Sequence, residues 1–411
     1  MQAENNKNNI VTLSMGCRLN ALESEKIQEM LARVMPAAIL VNTCAVTAEA
    51  ERQSGQTIRK IARENPDAPI FVTGCAATRN PDLFLQIPNA IVVDNRDKMH
   101  LSAYLTALAD APCHFENPRV ANFARGDTVL SKQFIQVQNG CNHQCTYCIT
   151  RALRGPSVSF AYADILNDAR TAVARGFTEI VLTGVDTASY AHDGMLISDV
   201  CAQLLRDVPE IQRLRLSSMD PASPQIFKLI DLMHNEPRMM PHLHLSMQSG
   251  CDAILRAMRR RHNAEMVRKI VATAGDNITF SWDIICGFPG ETDEYFNDTL
   301  ALVRATRPIK IHAFPFSPRP DTVAATMPDQ VPHNTSKQRV KIITDAANAN
   351  KLEFMRQQIG KTVQVLVEEK NMARDLHDIS VKIVGDAIPA RTVCDVLLTD
   401  INGDEFIAHM A

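Results

Sequence analysis

The sequence predicts an α/β protein in three parts: an N-terminal parallel βα domain, a central series of six βα units forming a barrel or open partial barrel, and a small C-terminal all-β domain. Three observations carry this. Apolar runs ending in small polar residues or cysteine alternate with helical patterns over most of the chain, as in parallel βα architecture. The central series has too many members for a small doubly wound domain. After about residue 358 the helical period gives way to short alternating runs with turn signals. At 411 residues, with 45% apolar and 22% charged composition, the chain is long enough for about two to three ordinary globular domains.

The first series reads IVTLSMGC, AAILVNTC and PIFVTGC, and its runs end at Cys17, Cys44 and Cys75. After the first run Leu19, Leu22, Ile27, Met30, Leu31 and Val34 recur at helical spacing. Ligands of an open α/β sheet gather beyond the carboxyl ends of its strands, so these three thiols are expected at one edge in space. The stretch PCHFENPRVANFARGDTVL from Pro112 has no sustained period and places a domain boundary near Gly126. The expected domains are therefore 1–125, 126–357 and 358–411.

The second series runs FIQVQNGC, EIVLTGVD, RLRLSSMD, HLHLSMQSG, FSWDIICGFPG and IKIHAFPFSPRP. Each run ends in polar or cysteine residues at the strand end where barrels place their active groups. In the last part GKTVQVLVEE, DISVKIVG and TVCDVLLTDINGDEFIAHM read as strands.

Eleven cysteines are an odd number, and MQAENNKNNI has no basic segment followed by an apolar one, so the chain reads as cytoplasmic and reduced. No apolar run approaches the roughly 18 residues of a membrane helix, which predicts no membrane partner. A net charge of −3 argues neither for nor against nucleic acid, so any such contact must use local basic groups. The densest is RAMRRRH, Arg256 to His262, at a strand end; Arg259, Arg260 and Arg261, with Arg151 and Arg154, are the candidate phosphate contacts.

In NGCNHQCTYC the cysteines Cys141, Cys145 and Cys148 fall at i, i+4 and i+7, which on a helix would form one stripe. The Asn139-Gly140 turn pair and the polar residues between the cysteines favour a loop wrapped around a metal instead. Zinc wants four ligands, and His143 lies only two residues from the cysteines on either side, an awkward fourth; an iron–sulfur cluster tolerates an incomplete protein shell. Cys113, Cys201, Cys251, Cys286 and Cys394 sit singly and are given no role. His242 and His244 alternate on one strand face, where histidines are usually packed or hydrogen-bonded.

Cys-x3-Cys-x2-Cys after the first strand of a six-fold βα series resembles the radical S-adenosylmethionine superfamily. The likeness continues through VLTGVD, RLRLSSMDP, HLHLSMQSG, GFPGET and FPFSPRPDTVAATM, which look like the strand ends of its methylthiotransferase branch. GCRLN, NTCAVT and VTGC resemble that branch's N-terminal domain, and the C-terminal strands resemble a TRAM module. GCRLN with NTCAVTAEAERQ resembles the MtaB type, rather than the isopentenyladenosine enzymes or those acting on a ribosomal-protein aspartate. Where the family usually continues with PY and then RG after the third cysteine, ITRALRG keeps only Arg154 and Gly155.

The resemblance implies a partial (βα)6 radical SAM barrel and two 4Fe-4S clusters. One would be held by Cys141, Cys145 and Cys148 and bind S-adenosylmethionine, with Tyr147 beside the cofactor; the auxiliary one would be held by Cys17, Cys44 and Cys75. It further implies cofactor contacts at Gly184, Val185 and Asp186, at Ser218 and Gln248, and at Gly287 in GFPGET. The implied reaction is methylthiolation of C2 of N6-threonylcarbamoyladenosine in the tRNA anticodon arm, with an external one-electron donor and a sulfur source. Methylthiolation of another target, or an iron–sulfur or zinc RNA-binding protein without catalysis, are the alternative readings.

Overall fold

Strand β1 (Asn9–Ser14), β2 (Ala37–Thr43), β3 (Ile70–Gly74) and β4 (Ala90–Val92) form one parallel sheet in sequence order. The computed structural model describes residues 9–45, 47–111, 115, 120 and 131–411. Every residue of β2 is buried, because a central parallel strand is covered on both faces. Its alternate residues serve two cores. Ile39 and Val41, with Ile70 and Val72 of β3, meet Ile58 and Ile61 of helix α2 (Ala48–Glu64). Ala38 and Leu40, with Ile10 and Phe71, meet Ile27 and Leu31 of α1 (Arg18–Leu31) and Tyr104. Helix α1 stops at Leu31, so Val34, grouped with its apolar face by spacing, lies beyond it and is 47% exposed.

By contact density the chain divides into two units: residues 1–128 with 140–142 and 149–156, and residues 129–139 with 143–148 and 157–411. The expected boundary near Gly126 and the single Cys113 lie outside the described residues.

In the second unit β5 (Lys132–Gln136), β6 (Glu179–Thr183) and β7 (Arg213–Leu216) pair in parallel, as do β8 (His242–Gln248), β9 (Thr279–Cys286) and β10 (Lys310–Pro315). Parallel bridges Leu214 to Met239 and Met219 to Leu245 join the two sets. No pairing among the described residues connects β10 back to β5, so the series forms an open arc, a partial barrel. Ile180, Leu182, Leu214, Leu243, Leu245, Phe280 and Trp282 enter one large core with helices such as Tyr162–Ala174 and Ile197–Asp207. The alternate residues, Glu179, Arg213, Arg215, His242, His244, Ser281 and Asp283, occupy the opposite face by strand period.

At the amino end of this arc, buried Glu179 receives Arg213 at 2.6 Å and Arg215 at 2.9 Å. The same two arginines donate to the Asp375 carbonyl at 2.7 and 2.8 Å. That residue belongs to the C-terminal barrel of β11 (Thr362–Glu369), β12 (Met372–Arg374), β13 (Ser380–Val384), β14 (Val393–Asn402) and β15 (Glu405–Met410), closed in the order β11-β12-β13-β15-β14. Val365, Val367, Val381, Val396, Leu398 and Phe406 fill it. The last apolar run is two strands, turned at Gly403 with φ +63°, and Met372–Arg374 is a short strand its sequence does not announce. Cys201, Cys251 and Cys286 are buried single thiols, and Cys394 is half-buried.

Candidate cofactor sites

Three adjacent strand ends of the N-terminal sheet each carry one of the first three cysteines. Cys17 caps α1 just after β1, Cys44 follows β2 directly, and Cys75 follows β3 as the first residue of the short helix α3 (Cys75–Arg79). The register sets Ser14 beside Asn42 and Thr43 beside Gly74, which levels the strand ends. Gly16 (φ +89°) abuts the second thiol: a Cβ there would lie 2.5 Å from the Cys44 Sγ. Gly74 (φ +94°) is equally confined, its Cβ position lying 2.5 Å from the Asn42 side-chain oxygen.

The polar residues around these cysteines hold the loops. Buried Asn20 donates to the Met15 carbonyl at 2.9 Å and the Thr43 carbonyl at 3.0 Å, tying the loop after β1 to the end of β2. Asn42 answers by donating to the Asn20 carbonyl at 3.0 Å. Thr43 donates to the Thr73 carbonyl at 2.6 Å and accepts from the Ala77 amide at 3.1 Å. The motif residues between the thiols are thus a hydrogen-bonded frame that fixes where the thiols stand.

A buried ionic group adjoins them. Glu23 on α1 takes Lys98 Nζ at 2.5 Å and Arg154 Nη1 at 2.9 Å, and Arg154 also donates to the Asn20 side-chain oxygen at 2.7 Å. Burial opposes the Glu23 charge, but Lys98 and Arg154 hold its carboxyl below the usual range. Burial likewise opposes the charge of Arg154, yet Glu23 and the Cys75 and Cys17 thiols hold its pKa above the ordinary value. Burial lowers the pKa of Lys98 against the pull of Glu23, so the firm cation of this group is Arg154.

In the second unit the loop after β5 carries Cys145 and Cys148 without helical structure, as the turn residues predict. Cys148 donates its amide to the Cys145 carbonyl at 3.2 Å, a tight turn. Thr146 between them is buried, its amide on the Met258 carbonyl at 3.2 Å and its hydroxyl on the Ala257 carbonyl at 2.9 Å. Tyr147 packs against the Cys251, Ile254, Met258 and Phe288 cluster, and burial pushes its hydroxyl pKa well up. Cys141 falls with the first unit, where its amide donates to the Gly155 carbonyl at 3.1 Å.

The other expected cofactor residues lie at the carboxyl ends of successive strands of the arc: Gly184, Val185 and Asp186 after β6, Ser218 after β7, Gln248 closing β8 and Gly287 after β9. Gly184 lacks a side chain because Gln138 passes there, its side-chain oxygen 2.9 Å from where a Cβ would be. The same oxygen accepts the Asp186 amide at 2.8 Å, and the Asp186 carboxylate meets His143 Nε2 at 2.9 Å. Gln248 adopts φ +67° beside a break in the β8–β9 register.

Three of the expected residues have structural partners of their own. Gly287 (φ +78°) is a glycine because Ser336 of helix His333–Gln358 occupies its side-chain space, with the Ser336 Cβ 2.7 Å from any Cβ there. Its amide donates to the Glu291 carboxylate at 2.8 Å. Arg154, expected on phosphate, has a side chain only 4% exposed, engaged with Glu23 and Asn20. The Arg260 side chain is 7% exposed and engages Asp220, the Ser246 carbonyl and Cys145. Arg259 and Arg261 remain exposed, although Arg261 also reaches Asp220 at 3.1 Å. Asn20, Glu23 and Thr146 lie close to motif cysteines and Asp220 ends the run RLRLSSMD, whereas Lys98 carries no sequence signal for its role.

An open arc of parallel strands with a cysteine loop after its first strand defines the radical SAM class, and a parallel domain with three strand-end cysteines precedes it. Residues 135–303 match the Radical SAM superfamily and residues 9–94 the Uncharacterized protein family UPF0004. The Threonylcarbamoyladenosine tRNA methylthiotransferase MtaB of Rickettsia prowazekii is 38% identical over 391 residues, covering 90% of each chain. Its namesake in Thermotoga maritima is 32% identical over 86% of this chain and 85% of its own. A tRNA-2-methylthio-N(6)-dimethylallyladenosine synthase of Novosphingobium aromaticivorans is 32% identical over 87% and 86%. The radical S-adenosylmethionine methyltransferase TsrM of Kitasatospora setae shares the fold, with TM-score 0.59, 15% identity and 77% of each chain covered. This chain belongs to the radical SAM methylthiotransferase family, MtaB type. Membership of that superfamily brings with it S-adenosylmethionine and a 4Fe-4S cluster. No helix among the described residues is long and apolar enough to cross a membrane.

Proposed function

We propose that this enzyme methylthiolates C2 of N6-threonylcarbamoyladenosine beside the tRNA anticodon, using S-adenosylmethionine and two 4Fe-4S clusters in the cytoplasm. The observation that carries this reading is the 38% identity, over 90% of both chains, to a methylthiotransferase named for that nucleoside. An anticodon arm, an external one-electron donor and a sulfur source are the partners the reaction requires.

The residues fit the groups. Cys17, Cys44 and Cys75 place three soft thiol donors on adjacent strand ends, beside the Arg154 cation suited to an anionic iron–sulfur group. Cys141, Cys145 and Cys148 offer a second such set in a loop rather than on a helix face. When bound, S-adenosylmethionine and its cluster supply radical chemistry at a carbon–hydrogen bond inert to side-chain acids, bases and nucleophiles. The chain's own part is to position and to exclude water. Thr146 pins the Cys145–Cys148 turn, Tyr147 covers it from the apolar side, and Asp186, beside His143, offers an acceptor for a cationic amino group. Asn20, Asn42 and Thr43 hold the auxiliary cysteines at one level.

A second reading, methylthiolation of dimethylallyladenosine, draws on the 32% identical synthase. Both are tested by mass analysis of tRNA nucleosides from a deletion strain. The reconstituted protein is also assayed side by side on tRNA bearing each nucleoside and on ribosomal protein. Loss of only the 2-methylthio derivative of N6-threonylcarbamoyladenosine is the expected result. An unchanged nucleoside profile, with product only on ribosomal protein, overturns the proposal.

A further inference from the structure

The run RAMRRRH forms a support for the cysteine loop. Helix Asp252–Ala257 ends at Met258, and Arg259 turns into the left-handed region at φ +57°. The Arg260 amide then returns to the Leu255 carbonyl at 2.8 Å, closing the turn. Two carbonyls freed at this helix end, Ala257 and Met258, hold Thr146, and the reversed chain aims the Arg260 side chain at the same loop.

The Arg260 guanidinium is fixed there on three sides. Nη1 lies 3.6 Å from the Cys145 Sγ, Nη2 donates to the Ser246 carbonyl at 2.9 Å, and Asp220 Oδ1 stands 3.3 Å away. Its Nε is buried and finds no partner among the described residues, a donor left over in an otherwise satisfied side chain. Asp220 is shared: it also takes Arg261 at 3.1 Å and the Ala222 amide at 2.9 Å, so it neutralises Arg260 only in part. A residual positive charge and an N–H therefore face a cysteine sulfur at a water-poor position.

We propose that Arg260 is a positioning residue that raises the reduction potential of the cluster held by Cys141, Cys145 and Cys148, through its hydrogen bond to the Cys145 sulfur. The inference rests on the cluster assignment above. Reduction adds negative charge that spreads over the ligand sulfurs, so a cation and a donor on one of them stabilise the reduced state more than the oxidised one.

The test uses the full chain with Cys17, Cys44 and Cys75 replaced by alanine, so that one cluster contributes. Arg260→Met and Arg260→Lys are reconstituted without air in this background. Iron per chain is measured, followed by a potentiometric titration read by electron paramagnetic resonance. Arg260→Met is expected to keep its iron and lose about tenfold in the equilibrium constant for reduction, about 59 mV for one electron. Arg260→Lys is expected to recover part of that. Full iron with an unchanged potential in Arg260→Met overturns the proposal, as does a change confined to the signal with S-adenosylmethionine bound. If Arg260→Met takes up no iron, a potential in Arg260→Lys equal to that of the Arg260 background overturns it equally. A background protein that binds no iron at all refutes the cluster assignment instead.

Discussion

Arg154 donates to the Glu23 carboxylate at 2.9 Å across 131 residues of chain, and Lys98 reaches the same carboxylate at 2.5 Å. Removing the carboxylate leaves two buried cations facing each other. Glu23→Ala is therefore expected to destabilise the N-terminal unit by about 3–5 kcal/mol, the cost of breaking a buried ion pair from one side. Urea unfolding of the apo protein measures it, and an unaltered midpoint would show that water reaches these cations.

Iron content separates the two cysteine sets. Anaerobic reconstitution should approach about eight irons per chain, and alanine at Cys141, Cys145 and Cys148 should remove about half. The triple variant at Cys17, Cys44 and Cys75 should still cleave S-adenosylmethionine but form no methylthio product. Full iron retention in the first variant would sink the assignment; lost cofactor cleavage in the second, with its remaining cluster intact, would sink the division of labour.

Of the three adjacent arginines of the basic run, Arg259 and Arg261 are exposed, Arg261 with a side chain 58% exposed. Replacing both by alanine should flatten the salt dependence of tRNA binding by roughly one to two units of slope. Cofactor cleavage without RNA should not change. If the slope stays as it was, the RNA contacts lie elsewhere, and basic groups of the C-terminal barrel become the next to replace.

His262 is buried, bonded through Nε2 to the Met247 carbonyl at 3.1 Å, and burial with the nearby Arg260 charge lowers its pKa from 6.5 to about 4. Its unfolded form binds a proton first, so its contribution to stability is present above pH 6.5 and is lost as pH falls toward 4. The shift is worth at most about 3 kcal/mol. Apo protein should melt at lower temperature at pH 5 than at pH 7.5, and His262→Gln should narrow the difference. Equal narrowing in a distant surface histidine variant would assign the effect to net charge.

The strand-end cysteines were legible because they follow from period and position: an apolar run that ends at a cysteine must place it at the carboxyl edge, and parallel neighbours bring three such ends together. The loop character of NGCNHQCTYC was legible from its turn residues, and the all-β character of the last part from alternation. Gly287 misled. A glycine with positive φ signals a close approach, but local sequence does not say whether the approaching group is a ligand or, as here, Ser336 of a later helix.

Sequence alone determined the alternation of strands and helices in the first two parts, the strand-end place of Cys17, Cys44 and Cys75, the loop character of the Cys141–Cys148 segment and the family, since all of these rest on spacing and residue type along the chain. Only the tertiary structure decided what the arginines do. A cation's role depends on the dielectric around it and on the groups brought to it, and for Arg154 and Arg260 Glu23 and the Cys145 sulfur arrive from 131 and 115 residues away in sequence. In RAMRRRH three neighbouring arginines are chemically alike in the chain. A single left-handed turn at Arg259 sends Arg260 inward to a sulfur and leaves Arg259 and Arg261 in water.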